Sequence, residues 1–240
     1  MSLYLLSVGC NYRGTSYELG DCELDSDNIA AEFRPYVADT KILQRSLVNP
    51  ASIRSALEAI GRKLRKGDAA ICYYSGHGTT QRMGNKLIQG IVMDDGSVLW
   101  EQELRKLLAA LTPAIFIADS CFSGGLARGN KNHRAQRFVP FSKLRDAQSP
   151  VLVGRQVKRQ YDYFSACSDQ ETAASTGDGG AFTNAALGVL RDAKQTITMR
   201  GIYKEVRKLL PSPEYQQTPQ FVASDNGFAS RTLASFIGAK

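Results

Sequence analysis

Residues 71–80 read ICYYSGHGTT, and residues 115–125 read IFIADSCFSGG. Each stretch begins as a short apolar run with the β-rich composition of a buried strand. Each run is followed by one reactive side chain close to glycine, His77 in the first and Cys121 in the second. The two stretches therefore predict two strands that end beside groups capable of chemistry.

Strand-like and helix-like patterns alternate along the rest of the chain. The other predicted strands are 3–8, 41–47, 91–92 and 161–166, and the predicted helices are 24–33, 51–64, 104–111, 181–193 and 202–210. This alternation predicts an α/β fold, an α/β/α sandwich with a mostly parallel central sheet flanked by helices. Reactive groups in such sheets gather beyond the carboxyl ends of the strands, so His77 and Cys121 are expected to share one crevice.

Composition narrows the class of protein. Hydrophobic residues make up 43% of the 240 residues, which suffices for a sizeable core. We find no run of roughly 20 apolar residues and no leader pattern, so no membrane contact is expected. Five cysteines without CxxC spacing and two histidines predict reduced thiols, a cytoplasmic location and no metal site.

The positive charge is concentrated in one segment. The formal net charge is +7, and residues 126–160 carry nine basic side chains and one acid. This segment shows little periodicity, and we interpret it as a long mobile connection between residues 1–125, which carry His77 and Cys121, and residues 161–240. All three parts are expected to form one domain, 1–240.

The residues around His77 and Cys121 suit nucleophilic catalysis. A cysteine nucleophile needs a group that receives its proton, and a neutral imidazole within hydrogen-bond reach serves this purpose. It also needs donors for the oxygen that becomes negative when a carbonyl is attacked. The N–H groups of Gly78 and Cys121 are the candidates.

The motifs YYSGHGT and DSCFSGG resemble the His and Cys motifs of metacaspases, within the caspase-like cysteine peptidases (peptidase C14 type). The opening VGCNYRGTSYELGDCELDSDNIAAEF resembles the first strand, loop and helix of that family, and FSACSDQETAAS with GGAFTNAAL resembles its small subunit. The resemblance covers residues from about 3 to 195 and favours the prokaryotic-type metacaspase branch over animal caspases. It implies a caspase-like fold and a His77/Cys121 dyad.

Two carboxylates predict a pocket for a cationic side chain. Asp119 lies two residues before Cys121, and Asp25 lies where the first helix begins. A guanidinium pairs well with carboxylates, so cleavage after Arg or Lys is expected. The resemblance implies that Cys22 and Ser75 line the same pocket, and Asp169 is a further candidate.

Such a pocket would accept side chains of the basic segment itself. We therefore predict a zymogen that is cleaved within 126–160, by the enzyme itself or by an upstream protease. Until it is cut, the segment is expected to occupy the cleft as a pseudo-substrate. The candidate processing residues are Arg128, Arg134, Arg137, Lys143, Arg145, Arg155, Lys158 and Arg159.

Calcium is the one cofactor that the resemblance raises, because many metacaspases require it. The interval between the two motifs is short here, and its acids are Asp94, Asp95, Glu101 and Glu103. A calcium site needs roughly six to eight oxygen ligands, so we expect no cofactor and no strict calcium dependence.

The expected partners are protein substrates with Arg or Lys at the cleaved position, and the resemblance implies a monomer. Two other functions remain open at this point. One is a catalytically silent caspase-like scaffold. The other is a module that binds nucleic acid or an acidic partner through the basic segment, although confinement of the charge to one segment argues against it.

Overall fold

The structure is a computed structural model. It describes residues 1–111, 113–121, 137–144, 147–150, 160–168, 171, 173–193, 196–225 and 227–236.

A six-stranded sheet forms the centre of the molecule. Its strands are β1 (Leu3–Gly9), β2 (Asp39–Gln44), β3 (Ala69–Ser75), β7 (Ala114–Asp119), β8 (Asp162–Ser165) and β9 (Gln220–Val222). They lie in the order β2-β1-β3-β7-β8-β9, and all neighbouring pairs are parallel except β8 with β9. The mostly parallel sheet predicted from the sequence is confirmed.

In the described ranges, five helices cover both faces of this sheet. They are α1 (Cys22–Phe33), α2 (Pro50–Lys63), α3 (Glu101–Ala109), α4 (Ala181–Asp192) and α5 (Met199–Leu209). Alternating side chains of each strand point to opposite faces. Tyr74 thus joins the core cluster that contains α2 and α3, whereas its neighbour Tyr73 joins the cluster that contains α1, α4 and α5. The predicted α/β/α sandwich is confirmed.

A separate antiparallel sheet lies between β3 and α3 along the chain. It consists of β4 (Gly78–Met83), β5 (Lys86–Val92) and β6 (Val98–Trp100). The sequence patterns predicted only residues 91–92 of it. Because β4 starts immediately after His77, this sheet extends from the edge where the reactive residues lie.

The middle of the basic segment, residues 137–144, is packed against the rest of the protein. Val139 is 1% exposed and Leu144 is 5% exposed, and both belong to the core cluster of α2 and α3. The interpretation of 126–160 as a long mobile connection is therefore wrong for residues 137–144, because Val139 and Leu144 are buried in the core. In the described part of the chain, no helix is both long and apolar enough to cross a membrane.

Candidate active site

The two motifs meet at the carboxyl ends of neighbouring strands. In the parallel register of β3 and β7, Ser75 lies opposite Asp119, and the N–H of Gly76 donates to the Asp119 carbonyl at 3.3 Å. The chain leaves β3 towards His77 and leaves β7 towards Cys121 at this same edge. Both motifs therefore lie at the same edge of the sheet, where the sequence predicts a shared crevice.

The guanidinium of Arg137 is buried in this crevice. The Arg137 side chain is 0% exposed, and its Nη2 atom lies 2.8 Å from Asp25 Oδ2 and 3.1 Å from Asp21 Oδ1. Its Nη1 atom donates to Ser75 Oγ at 2.6 Å and lies 3.1 Å from Asp119 Oδ1. Three carboxylates thus surround one cation from the chain's own basic segment.

The carboxylates are themselves held by fixed donors. Asp25 accepts hydrogen bonds from Ser75 Oγ at 2.7 Å and from the N–H of Gly180 at 2.9 Å. Asp119 Oδ2 accepts from the N–H and the hydroxyl of Thr183, at 3.1 and 2.6 Å. These donors belong to β3 and to the start of α4, so the pocket is assembled from both halves of the chain.

Burial dominates the ionisation of these acids. It raises the pKa of Asp119 to about 6 and raises the pKa of Asp25, although the guanidinium of Arg137 lowers both. Burial disfavours the charged form of Arg137, but the carboxylates of Asp119 and its neighbours outweigh this and raise the Arg137 pKa well above its usual value. The acids therefore hold their charge best when a cation fills the pocket.

The backbone carbonyl of Arg137 is bound between the two motifs. Its oxygen accepts hydrogen bonds from the N–H of Gly78 at 3.0 Å and from the N–H of Cys121 at 3.1 Å. These are the two donors that the sequence suggests for the oxygen of an attacked carbonyl. Two N–H groups at about 3 Å from one oxygen have the geometry of an oxyanion hole.

The imidazole of His77 is held by a contact at one ring nitrogen. Its Nε2 atom lies 2.7 Å from the carbonyl oxygen of Tyr17, which accepts a hydrogen bond from it when Nε2 carries the proton. Its Nδ1 atom has no hydrogen-bond partner among the described residues. Burial lowers the pKa of His77 to about 4, and the Arg137 guanidinium also lowers it, so the ring is neutral at pH 7.

The thiol of Cys121 lies against Ala173. Its sulfur accepts a hydrogen bond from the N–H of Ala173 at 2.6 Å. Cys121 is 0% exposed, and the neighbouring Cys167 thiol lies 3.7 Å from the carbonyl oxygen of Ser120. No described contact joins the sulfur to the imidazole in this conformation.

The residues after Arg137 run along the small sheet. The N–H of Val139 donates to the Gly78 carbonyl at 3.0 Å, so Phe138 pairs with Gly78 as a parallel β-bridge. The Phe141 ring lies 5.5 Å from that of Trp100, whose Nε1–H donates to the Gln148 carbonyl at 2.9 Å. The segment is thus bound on both sides of the Arg137–Phe138 peptide bond.

The structure places most of the predicted site residues together. Asp25, Ser75 and Asp119 contact Arg137, and the buried Cys22 lies beside Asp21. Asp169 lies outside the described residues. Of the processing candidates, Arg137 fills the pocket and Lys143 is exposed in a single 3-10 turn. The candidates outside the described residues are Arg128, Arg134, Arg145, Arg155, Lys158 and Arg159.

Three pocket residues were missed at the level of sequence. Asp21 is the residue before α1, and its carboxylate binds the guanidinium. Gly180 and Thr183 lie about sixty residues beyond Asp119 and contact it across the pocket. Asp21 could have been predicted as a pocket residue from its position one residue before Cys22, at the same helix start as Asp25.

One group of metal-ligand side chains is close enough to hold an ion in the described part of the chain, and it consists of Asp21, Cys22 and Asp25. The Arg137 guanidinium contacts both of its carboxylates. The group therefore serves a cationic side chain here.

An α/β sandwich that brings a Cys motif and a His motif to one carbonyl has the architecture of a caspase-like cysteine peptidase. The family model described as Caspase domain (Peptidase_C14) matches residues 4–227, so the chain belongs to the caspase domain family. Among curated proteins it is similar to metacaspases. It is 25% identical to Metacaspase-9 of Arabidopsis thaliana over 91% of this chain and 92% of that protein.

Metacaspase-1 of Plasmodium falciparum is 26% identical over 80% of this chain and 35% of its own length, so the chain spans about a third of that relative. Among solved structures, protein GSU0716 from Geobacter sulfurreducens has the same fold. It superposes with a TM-score of 0.77 at 21% sequence identity. The superposition covers 95% of this chain and 97% of that protein's chain.

Proposed function

We propose that this protein is a cysteine endopeptidase that cleaves after Arg, and more slowly after Lys, with Cys121 as nucleophile and His77 as base. The observation that carries the proposal is the placement of Arg137. Its side chain is paired with Asp21, Asp25 and Asp119, while its carbonyl oxygen accepts from the N–H groups of Gly78 and Cys121. A substrate residue before the scissile bond requires both contacts at once.

The chemistry follows from these positions. A rotation of the Cys121 side chain moves its sulfur from Ala173 to the carbonyl carbon, and His77 Nδ1 takes the thiol proton. The oxygen becomes negative between the two N–H donors, each worth roughly 10²–10³ in rate. His77 then gives its proton to the leaving nitrogen, and water hydrolyses the thioester that remains on Cys121.

The pocket favours arginine over lysine. The two terminal nitrogens of a guanidinium reach separate acceptors here, Nη1 on Ser75 and Asp119 and Nη2 on Asp21 and Asp25. An ammonium is a single point charge and cannot engage both sides in this way. We expect kcat/KM for an Arg peptide to exceed that for the matching Lys peptide.

The same contacts point to self-processing at one bond. The segment lies in the site as a pseudo-substrate, and the bond that follows the bound carbonyl is Arg137–Phe138. We infer that the chain is a zymogen cut there, by itself or by a protease of like specificity. All five cysteines are free and buried, which supports the predicted cytoplasmic location.

Peptide hydrolysis tests the proposal. Fluorogenic peptides ending in Arg, Lys or Asp are incubated with the wild-type protein, with Cys121→Ala and with His77→Ala. Turnover of Arg and Lys peptides by the wild type alone is expected. Turnover of the Asp peptide, or equal activity of Cys121→Ala, would refute the assignment.

A further inference from the structure

The main chain at His77 is held by two buried phenols. The N–H of His77 donates to the hydroxyl of Tyr12 at 2.8 Å, and the hydroxyl of Tyr74 lies 2.8 Å from the carbonyl oxygen of His77 and 2.6 Å from that of Val92. The Tyr12 hydroxyl in turn donates to the carbonyl of Val92 at 2.8 Å and lies 2.9 Å from that of Tyr74. The N–H of His77 is thus bound by Tyr12, whereas its carbonyl contacts Tyr74 and also accepts from the N–H of Val92 at 2.9 Å.

The ring of His77 is held by the same loop. The Tyr12 ring packs against the imidazole, with ring centroids 4.7 Å apart. Five residues later in the loop, the Tyr17 carbonyl lies 2.7 Å from His77 Nε2. Tyr12 therefore contacts the base at its main chain and at its ring, and it lies in the loop that sets the ring's hydrogen bond.

Tyr12 has an unusual backbone conformation that other residues maintain. Its φ is 53°, in the left-handed region that side chains other than glycine rarely adopt. Its N–H donates to Asp94 Oδ1 at 2.8 Å, and its carbonyl accepts from the N–H and the hydroxyl of Thr15, at 3.1 and 2.7 Å. A strained residue held by several fixed contacts is typical of functional sites.

Gly76 shows how closely the chain approaches the phenols. A Cβ atom at this position would lie 2.5 Å from the Tyr74 hydroxyl and 2.6 Å from the Tyr12 hydroxyl. The first glycine of SGHG is therefore required by the two tyrosines. Burial raises the pKa of the Tyr12 phenol well above its usual value, so it remains a donor to Val92 at all ordinary pH values.

We propose that Tyr12 is the positioning residue of the catalytic base. Its hydroxyl and ring fix His77 so that Nε2 reaches the Tyr17 carbonyl and Nδ1 faces the scissile carbonyl, and Asp94 holds Tyr12 in this conformation. The inference rests on the proposed function of His77. It assigns Asp94 a structural role, as the acceptor for a backbone N–H group.

Kinetics and nitrogen NMR of processed enzyme test the proposal. Tyr12→Phe keeps the ring and removes the hydroxyl, so we expect kcat to fall at least about tenfold with little change in KM, since small displacements of a catalytic group cost this much or more. The chain has two histidines, so His133→Gln assigns the imidazole resonances. The parent protein should show one tautomer protonated at Nε2, and Tyr12→Phe should show exchange between both tautomers.

Two substitutions of Asp94 weaken the contact with the Tyr12 N–H group to different degrees. Asp94→Asn keeps an oxygen acceptor for the Tyr12 N–H and should retain most of kcat, whereas Asp94→Ala should behave like Tyr12→Phe. Tyr161→Phe is the matched control, because Tyr161 is a buried tyrosine of the same core cluster outside the site. It should leave kcat and the tautomer unchanged.

Two results would overturn the proposal. One is a Tyr12→Phe enzyme with the kcat and tautomer of the parent, and the other is an equal loss in Tyr161→Phe. An inactive parent would instead refute the proposed peptidase, and the tautomer spectra would then decide the role of Tyr12 alone.

Discussion

The ionisation of single residues sets the pH range of the proposed activity. Asp119, with a pKa raised to about 6 by burial, must be charged to bind a guanidinium, whereas His77 with a pKa of about 4 is neutral above that value. We therefore expect kcat for Arg peptides to fall as the pH drops through about 6. The empty pocket lacks the guanidinium that lowers the Asp119 pKa, so the acid limb of kcat/KM should lie at a higher pH than that of kcat.

Steady-state kinetics from pH 4.5 to 8 provide this measurement. Profiles of kcat and kcat/KM that both stay level down to pH 5 would show that Asp119 does not control binding. A limb at the same pH for both quantities would contradict the effect assigned to the bound guanidinium.

Gly180 leaves the space that the arginine occupies. A Cβ atom there would lie 2.1 Å from Asp119 Oδ2 and 2.8 Å from Arg137 Nη2, although the φ of −72° would itself allow alanine. Gly180→Ala should raise KM for Arg peptides about tenfold or more, because overpacking costs typically 1–3 kcal/mol. Gly188→Ala is the control within α4, since a Cβ atom there meets nothing within 4 Å. Similar KM values in the two variants would show that Gly180 does not border the pocket.

At the scale of elements, the acids after β5 and at the start of α3 are the ones that bear on calcium binding. Asp94 accepts from Tyr12, Asp95 accepts from the N–H of Ser97 at 2.9 Å, and Glu101 pairs with Arg105 at 3.1 Å. Glu103 pairs with Arg54. Acids engaged in this way offer few oxygens to an ion.

We therefore expect peptide turnover to be unchanged by EGTA and by added calcium. The assay is run on enzyme purified without calcium, with magnesium as the matched divalent ion. A loss of activity in EGTA that calcium alone restores would overturn this expectation.

Elements with strong patterns were predictable from the sequence, and those stabilised by pairing were not. The four buried parallel strands β1, β3, β7 and β8 follow from apolar runs, and the helices follow from periodic apolar positions and from signals such as Asn49, whose side chain caps α2. Strand β4 is polar along most of its length, β6 and β9 have three residues each, and β2 ends earlier than predicted because residues 45–47 form a 3-10 turn. Their pairing depends on the register of neighbours, which local sequence does not encode.

The candidate site was predictable where residues lie at strand ends. His77, Cys121 and Asp119 follow from this rule, and Asp25 follows from the helix start beside it. Asp21, Gly180 and Thr183 reach the pocket through tertiary packing between distant segments. The choice of Arg137 among eight basic candidates depends on which side chain reaches the pocket, and spacing along the chain does not determine that.

At the scale of the whole molecule, a cut after Arg137 does not by itself empty the site. Strand β8 pairs with β7, so both fragments share one sheet. Arg137 stays joined to Cys121 through fifteen residues, 122–136. A short tether gives an effective concentration on the order of millimolar. Cleavage would also give Arg137 a terminal carboxylate. This carboxylate would accept hydrogen bonds from the N–H groups of Gly78 and Cys121 more strongly than the carbonyl does.

Trimming the new terminus should therefore activate the cut enzyme. Carboxypeptidase B removes a C-terminal arginine, and we expect turnover of Arg peptides to rise several-fold after treatment of the processed protein. Uncut Cys121→Ala mixed with the same carboxypeptidase is the blank. Full activity of the cut enzyme before trimming would show that the tethered Arg137 does not inhibit.

The central claim is that Cys121 cuts the peptide bond that the structure holds in the site. Intact-mass spectrometry of the incubated protein tests this most directly, with Arg137→Lys, Arg137→Gln and Cys121→Ala as companions. The account predicts that the wild type is first cut into 1–137 and 138–240, that Arg137→Lys is cut at the same bond more slowly, and that the other two variants keep this bond. A first cut at a different bond of the wild type, or cleavage after residue 137 in Cys121→Ala without added protease, would contradict it.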